Sequence, residues 1–163
     1  MRIIRCRYEI ADELESIIPR DIRRILCESG LPFLPGTGAF SRLEGLKLVN
    51  GGAFIAFSDM AYADRLVVDI DQGTVMRTHR FDIPMTFVNS DLELYEASFL
   101  EFAGGLPYDD PDPDAEPNLL EATAEDLRRR LAALDPPAIG DNTLWDEICW
   151  DITISDWTSE DLR

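Results

Sequence analysis

The chain has a single histidine, His79, set between arginines in Arg77-Thr78-His79-Arg80. Any Ser-His-Asp or Cys-His nucleophile arrangement would have to use that residue. The flanking arginines disfavour an imidazolium, and no carboxylate stands near in sequence to orient the ring, so His79 reads as a surface residue at a strand end. Zinc chemistry would need paired His or Cys ligands, and the chain has no HExxH, no GxSxG and no CxxC. The glycines of Gly36-Thr37-Gly38 are not followed by the Gly-Lys-Ser/Thr that a phosphate loop requires. Asp109, Asp110, Asp112 and Asp114 alternate with Pro111 and Pro113. A calcium loop of the EF-hand kind needs a central glycine and a distal bidentate Glu, and no Gly lies inside this run. With 32 acids some carboxylates meet in any fold, so carboxylate pairs carry no information. The sequence thus predicts no catalytic residues, no metal and no cofactor.

Charge is the stronger signal. The net charge is −17. Residues 1–90 hold 12 acids and 11 bases, whereas residues 91–163 hold 20 acids and 4 bases. Such a field repels nucleic acid and anionic membrane and attracts a basic partner. It also simply disperses a protein in solution, and both readings stand. Hydrophobic content of 45% lies in the globular range. No apolar run is long enough for a membrane span, and Met1 to Arg7 lacks the apolar core of a signal peptide. Cys6, Cys27 and Cys149 are widely spaced and odd in number, which fits reduced thiols and a cytoplasmic location. The expectation is one domain over residues 1–163, carrying an acidic Pro-rich loop at about 106–117.

The elements that would position these residues follow in order. Residues 1–18 show no clean period. A helix is expected from Pro19, with Ile22, Ile25 and Leu26 on its inner stripe, ended by Gly30 in a left-handed cap and kept from resuming by Pro32. Leu46 to Asn50 reads as a strand. Phe54 to Phe57 reads as a strand covered on both faces. Arg65 to Ile70 and Thr74 to His79 flank Asp71-Gln72-Gly73, a hairpin loop with Gly placed for positive φ. Met85 to Val88 adds a further strand. Ser90, with Glu93 three positions on, makes a capping-box pattern for a helix that buries Leu92, Tyr95, Phe99 and Phe102 and stops at Gly104-Gly105. Thr123 and Asp126 suggest another helix start, with Leu127, Leu131 and Leu134 as its apolar seam and Arg128, Arg129 and Arg130 offsetting neighbouring acids. A last helix opens near Thr143 and buries Trp145, Ile148, Cys149 and Ile152.

Helix, Gly30-Leu31-Pro32-Phe33, sheet, Asp71-Gln72-Gly73-Thr74-Val75 hairpin and Val88-Asn89-Ser90 helix entry stand in an order that resembles the SUKH superfamily. That superfamily includes Smi/Knr-type regulators and bacterial immunity proteins. The fourth SUKH immunity group is the most similar branch, over residues 20–103 and the closing Trp145-Asp146-Glu147-Ile148 helix. The resemblance implies an α+β fold, with a single mostly antiparallel sheet and helices packed against it. It also implies a protein without catalysis that neutralises a cognate toxin, often a nuclease or nucleic-acid deaminase. The acidic insert at 106–117 is longer than the pattern requires.

A basic toxin domain, bound at an acidic surface, is the partner this predicts. Candidate contact residues are Asp109, Asp110, Asp112, Asp114 and Glu116 in the loop. Glu121, Glu125 and Asp126 follow, then Asp141, Asp146 and Glu147, with Tyr108 and Trp157 as aromatic anchors. The alternative is a non-catalytic scaffold or regulatory domain of Smi/Knr-like type that binds other proteins.

Overall fold

A computed structural model describes residues 2–37, 39–80, 83–109 and 119–159. The chain is α+β, as expected. Strands β3 (Ser41–Val49), β4 (Phe54–Asp59), β5 (Arg65–Asp69), β6 (Val75–Thr78) and β7 (Thr86–Asn89) form a five-stranded antiparallel meander in sequence order. A separate two-stranded ribbon pairs β1 (Ile4–Cys6) with β2 (Leu31–Phe33). The helices are α1 (Asp12–Glu15), α2 (Arg20–Arg23), α3 (Leu92–Gly104), α4 (Leu119–Leu134) and α5 (Leu144–Thr153), with α2 widening into a π-helical stretch over Arg24–Ser29.

Local chemistry accounts for most of these boundaries. The β5–β6 hairpin turns through Asp71-Gln72-Gly73, with Gly73 at φ 75°. Its turn is tied by the Asp69 carboxylate, which accepts from the Asp71 and Gln72 amides at 2.8 and 2.9 Å. Gly30 terminates the π-helical extension of α2 by donating its amide to Ile25 O at 2.7 Å. Its φ of 78° and ψ of 161° lie beyond the left-handed helical region expected of a cap. A Cβ at this position would stand 2.6 Å from Cys6 O on β1, so the ribbon's close approach requires glycine.

Four expectations are corrected. β3 begins at Ser41 rather than Leu46, because an irregularity between Arg42 and Lys47 breaks the alternation from which strands are read. The cap of α3 is Asp91, which accepts from the Leu94 amide at 2.8 Å; Ser90 is spent elsewhere and Glu93 pairs with Arg24. α4 begins at Leu119, and the Thr123 hydroxyl donates back to Leu119 O inside the helix instead of capping it. Leu127 and Leu131 are buried, but Leu134 is 37% exposed, so the seam is shorter than its spacing suggests.

The core is aromatic where α3 and α5 meet the sheet. Phe40 contacts Phe99 edge-on at 5.2 Å and stacks on Trp145 at 6.1 Å. Phe57 of β4 meets Tyr95 of α3 at 5.4 Å. Of the run Phe54 to Phe57, expected to be covered on both faces, Ile55, Ala56 and Phe57 are fully buried and Phe54 is half-buried. Leu92, Tyr95, Phe99 and Phe102 of α3 are buried as well. So are Trp145, Ile148, Cys149 and Ile152 of α5, whose N-cap is Thr143.

One polar network runs through this apolar interior. The Trp145 indole donates to Asn89 Oδ1 at 2.8 Å, and Asn89 Nδ2 donates to Ser98 Oγ and to Asp135 Oδ2 at 3.1 and 2.9 Å. The Ser90 amide and hydroxyl both donate to Asp135 at 2.8 Å. Every donor aimed at Asp135 is thereby satisfied, which is the condition for keeping such groups inside. The network joins the end of β7 to α3, to α5 and to the turn after α4.

Candidate partner-binding surface

The residues expected to bind a partner divide into three groups. Asp110, Asp112, Asp114 and Glu116 lie outside the described residues. The acids of α4 and α5 are mostly tied to arginines. Asp126 pairs with Arg129 at 2.8 Å and Arg130 at 3.1 Å; Glu125 pairs with Arg128 at 3.8 Å; Asp146 pairs with Arg128; and Glu147 pairs with Arg77. The triple arginine therefore offsets neighbouring acids, as expected. Glu121 and Asp141 are exposed, and Asp109 accepts from the Ser159 amide at 2.7 Å.

Of the two expected anchors, Tyr108 is buried and Trp157 is half-buried against the core. Tyr108 is 4% exposed, stacks on Phe102 at 5.9 Å and donates its hydroxyl to Phe102 O at 2.7 Å. Trp157 folds back so that its ring meets Phe102 edge-on at 5.0 Å, and its carbonyl accepts from the Tyr108 amide at 3.0 Å. Both are held by Phe102, a residue whose helical spacing already marked it as core.

The large aromatics left at the surface are others. Trp150 is 63% exposed beside a groove of about 430 Å³ between α4 and α5. Tyr62, in the β4–β5 connection, is 88% exposed. Tyr62 has φ 61° and Ala63 φ 66°, left-handed conformations that cost an L-residue about 1 kcal/mol each. The connection is held in that shape from its ends: the Met60 amide donates to Asp64 O at 2.8 Å and the Asp64 amide to Ala61 O at 3.3 Å.

Asp64 is the pin. It is 5% exposed and its carboxylate accepts from the Arg80 amide at 3.1 Å, from Arg77 at 2.9 Å and from His79 Nδ1 at 3.0 Å. Burial alone would push the Asp64 carboxyl up, but these donors outweigh it and hold the group below the ordinary carboxylate value. An ionised carboxylate only accepts, so His79 Nδ1 carries a proton, while Nε2 meets Thr86 Oγ1 at 3.1 Å. His79 is half-buried just past the end of β6. It has an orienting carboxylate after all, supplied from fifteen positions earlier across the β5–β6 hairpin.

Two connected hollows, of about 350 and 130 Å³, lie on one side of Tyr62 and share Ala39, Ala61, Asp151 and Trp157 as lining. Asp156 rims the larger. The Asp151 carboxyl is pushed up, first by burial and then by the charges of Asp156 and Glu147, against a hydrogen bond from Trp157. On the other side of Tyr62 a third hollow, of about 310 Å³, is lined by Asp64, His79, Arg80 and Ile83.

Nothing among the described residues gathers three or more His, Cys, Asp or Glu in a way that could hold a metal ion. Burial pushes the Cys149 thiol up to about 11, which suits a small apolar core residue rather than a nucleophile. No helix among the described residues is long and apolar enough to cross a membrane.

No curated protein and no solved structure matches the chain. The SUKH-4 immunity protein family model matches residues 13–151, from within α1 to within α5, and takes in the meander, the Asn89–Asp135–Trp145 network and the Tyr62 connection. The chain belongs to the SUKH-4 immunity protein family, a membership that assigns it an immunity function against a toxin.

Proposed function

We propose that this protein is a cytoplasmic, non-catalytic immunity protein that binds a basic toxin domain, of the nuclease or nucleic-acid deaminase class, and blocks its active site. Family membership over residues 13–151 carries the reading. The charge asymmetry supports it: residues 91–163 hold 20 acids against 4 bases, and a toxin that handles nucleic acid presents a basic surface to such a field. The acids of α4 and α5 are largely paired with arginines, so it is the excess of acids over bases in residues 91–163 that acts at a distance and speeds the encounter. The segment Asp109 to Glu116, with Glu121 and Asp141, adds to the same field.

The test is co-expression with the toxin domain encoded beside this gene, scoring survival and co-purification. Rescue with a stable complex is the expected result. Loss of rescue, with the toxin active and this chain folded, rejects the reading and favours a scaffold role. Association that slows markedly between low and physiological salt is expected of the acidic field. A salt-independent on-rate would count against it.

A further inference from the structure

Among the described residues, Tyr62 is the largest exposed aromatic ring on the sheet's loops. Closure of Met60 onto Asp64, and the hold of Arg77, His79 and the Arg80 amide on the Asp64 carboxylate, tie down the ends of residues 61–63. A ring that is 88% exposed contributes almost nothing to the folded core. Beside it lies a hollow of about 350 Å³, at the lower end of the range for ligand pockets and sufficient for a side chain. Asp151 and Asp156 line that hollow, and neither makes an ion pair among the described residues. Glu125 and Asp126 of α4, by contrast, are paired with arginines. Ile83, 56% exposed, extends the apolar surface on the far side of Tyr62.

We propose that Tyr62 and the adjoining hollow rimmed by Asp151, Asp156 and Trp157 form the contact centre for the toxin, receiving a lysine or arginine side chain of the toxin domain. The cation lies against the Tyr62 ring, where the ring's negative face attracts it, and pairs with Asp151 and Asp156. Aromatic residues beside charges that become desolvated on binding are the usual concentration points of interface energy. The inference rests on the immunity reading and adds the place and chemistry of the contact. It also assigns Asp64, Arg77 and His79 as positioning residues for the Tyr62 loop.

The experiment measures the affinity of the full chain for the inactivated toxin domain encoded beside it, for wild type, Tyr62→Ala, Asp151→Asn, Asp156→Asn and Trp150→Ala, with the thermal midpoint of each variant recorded. Tyr62→Ala weakens binding by about 30-fold with no loss of thermal stability. Each aspartate variant weakens it by about 5-fold, and Trp150→Ala leaves it unchanged. The aspartate variants keep the test informative should Tyr62→Ala fail to fold. Wild-type binding that these three substitutions leave intact overturns the site alone. A loss confined to Trp150→Ala moves the contact to the α4–α5 groove and overturns it too. Failure of the wild-type chain to bind overturns the immunity reading and the site with it.

Discussion

Asp135 and Asp64 are both almost wholly buried, at 2% and 5% exposed, yet they hold different things with different partners. Asp135 accepts from neutral donors, the Asn89 amide group and the Ser90 amide and hydroxyl, and its network ends on the Trp145 indole in the core. Asp64 accepts from an arginine, a histidine and a backbone amide, and what it fixes is a loop carrying an exposed tyrosine. One aspartate welds helices to the sheet; the other steadies a surface. The same side chain thus serves the fold where its partners converge inward, and recognition where its neighbours point out.

The core aspartate is expected to give the larger loss. Asp135→Ala strands one Asn89 proton in the interior and removes both bonds to Ser90, and is expected to lower unfolding stability by about 3 kcal/mol in denaturant titration. An effect as small as a surface substitution would show that water replaces the carboxylate. Asp64→Asn is the milder break, because Arg77 retains Glu147. It is expected to cost about 2 kcal/mol and to raise hydrogen exchange at the Met60 and Asp64 amides while leaving α5 protected. Uniformly raised exchange would mean that Asp64 serves the whole fold.

Acid titration sharpens the same contrast. The folded-state value of Asp64 lies below its unfolded value near 3.8. Its carboxylate therefore contributes stability above pH 3.8 that is lost as pH falls through the folded value. Below pH 3.8 the wild-type curve should drop, and the Asp64→Asn curve should be flatter there.

The smallest effects run the other way. Tyr62→Gly relieves a left-handed backbone while adding unfolded-state freedom, for a net gain of about 0.5 kcal/mol alongside lost toxin affinity. Asp151 has a folded value above its unfolded one, so its ionisation costs stability as pH rises from 3.8 through that value. Asp151→Asn should accordingly raise the thermal midpoint slightly at neutral pH while weakening the complex. Opposite signs for stability and binding mark a residue kept for its partner.

Much of the frame was legible because its causes are local. The Asp71-Gln72-Gly73 hairpin, the stripe of Leu92, Tyr95, Phe99 and Phe102, and the Thr143 cap each depend on residues a few positions apart. What the pattern misassigned depends on partners far away in sequence. Ser90 has the spacing of a cap, but its hydroxyl is drawn 45 positions on to Asp135, and Asp91 takes the capping role. The pair of Asp64 with His79 was within reach, since a hairpin centred on residues 71–73 pairs Arg65 with Thr78 and so sets 64 across from 79. Tyr108 and Trp157 were candidate anchors for a partner. Phe102, whose inward face the stripe already showed, packs against both. Tyr62 carried no signal at all, because nothing in Met60-Ala61-Tyr62-Ala63-Asp64 announces a left-handed turn that lifts the ring out.

In a meander each strand pairs with its immediate successor, so the β4–β5 register is set by the strands and by the closure of Met60 onto Asp64. Residues 61–63 contribute nothing to that register. Their identities can change, one substitution at a time, without reopening the sheet or the core. Such a scaffold can vary the tip of its contact surface by rewriting three letters of its sequence, and leave the sheet and core unaltered.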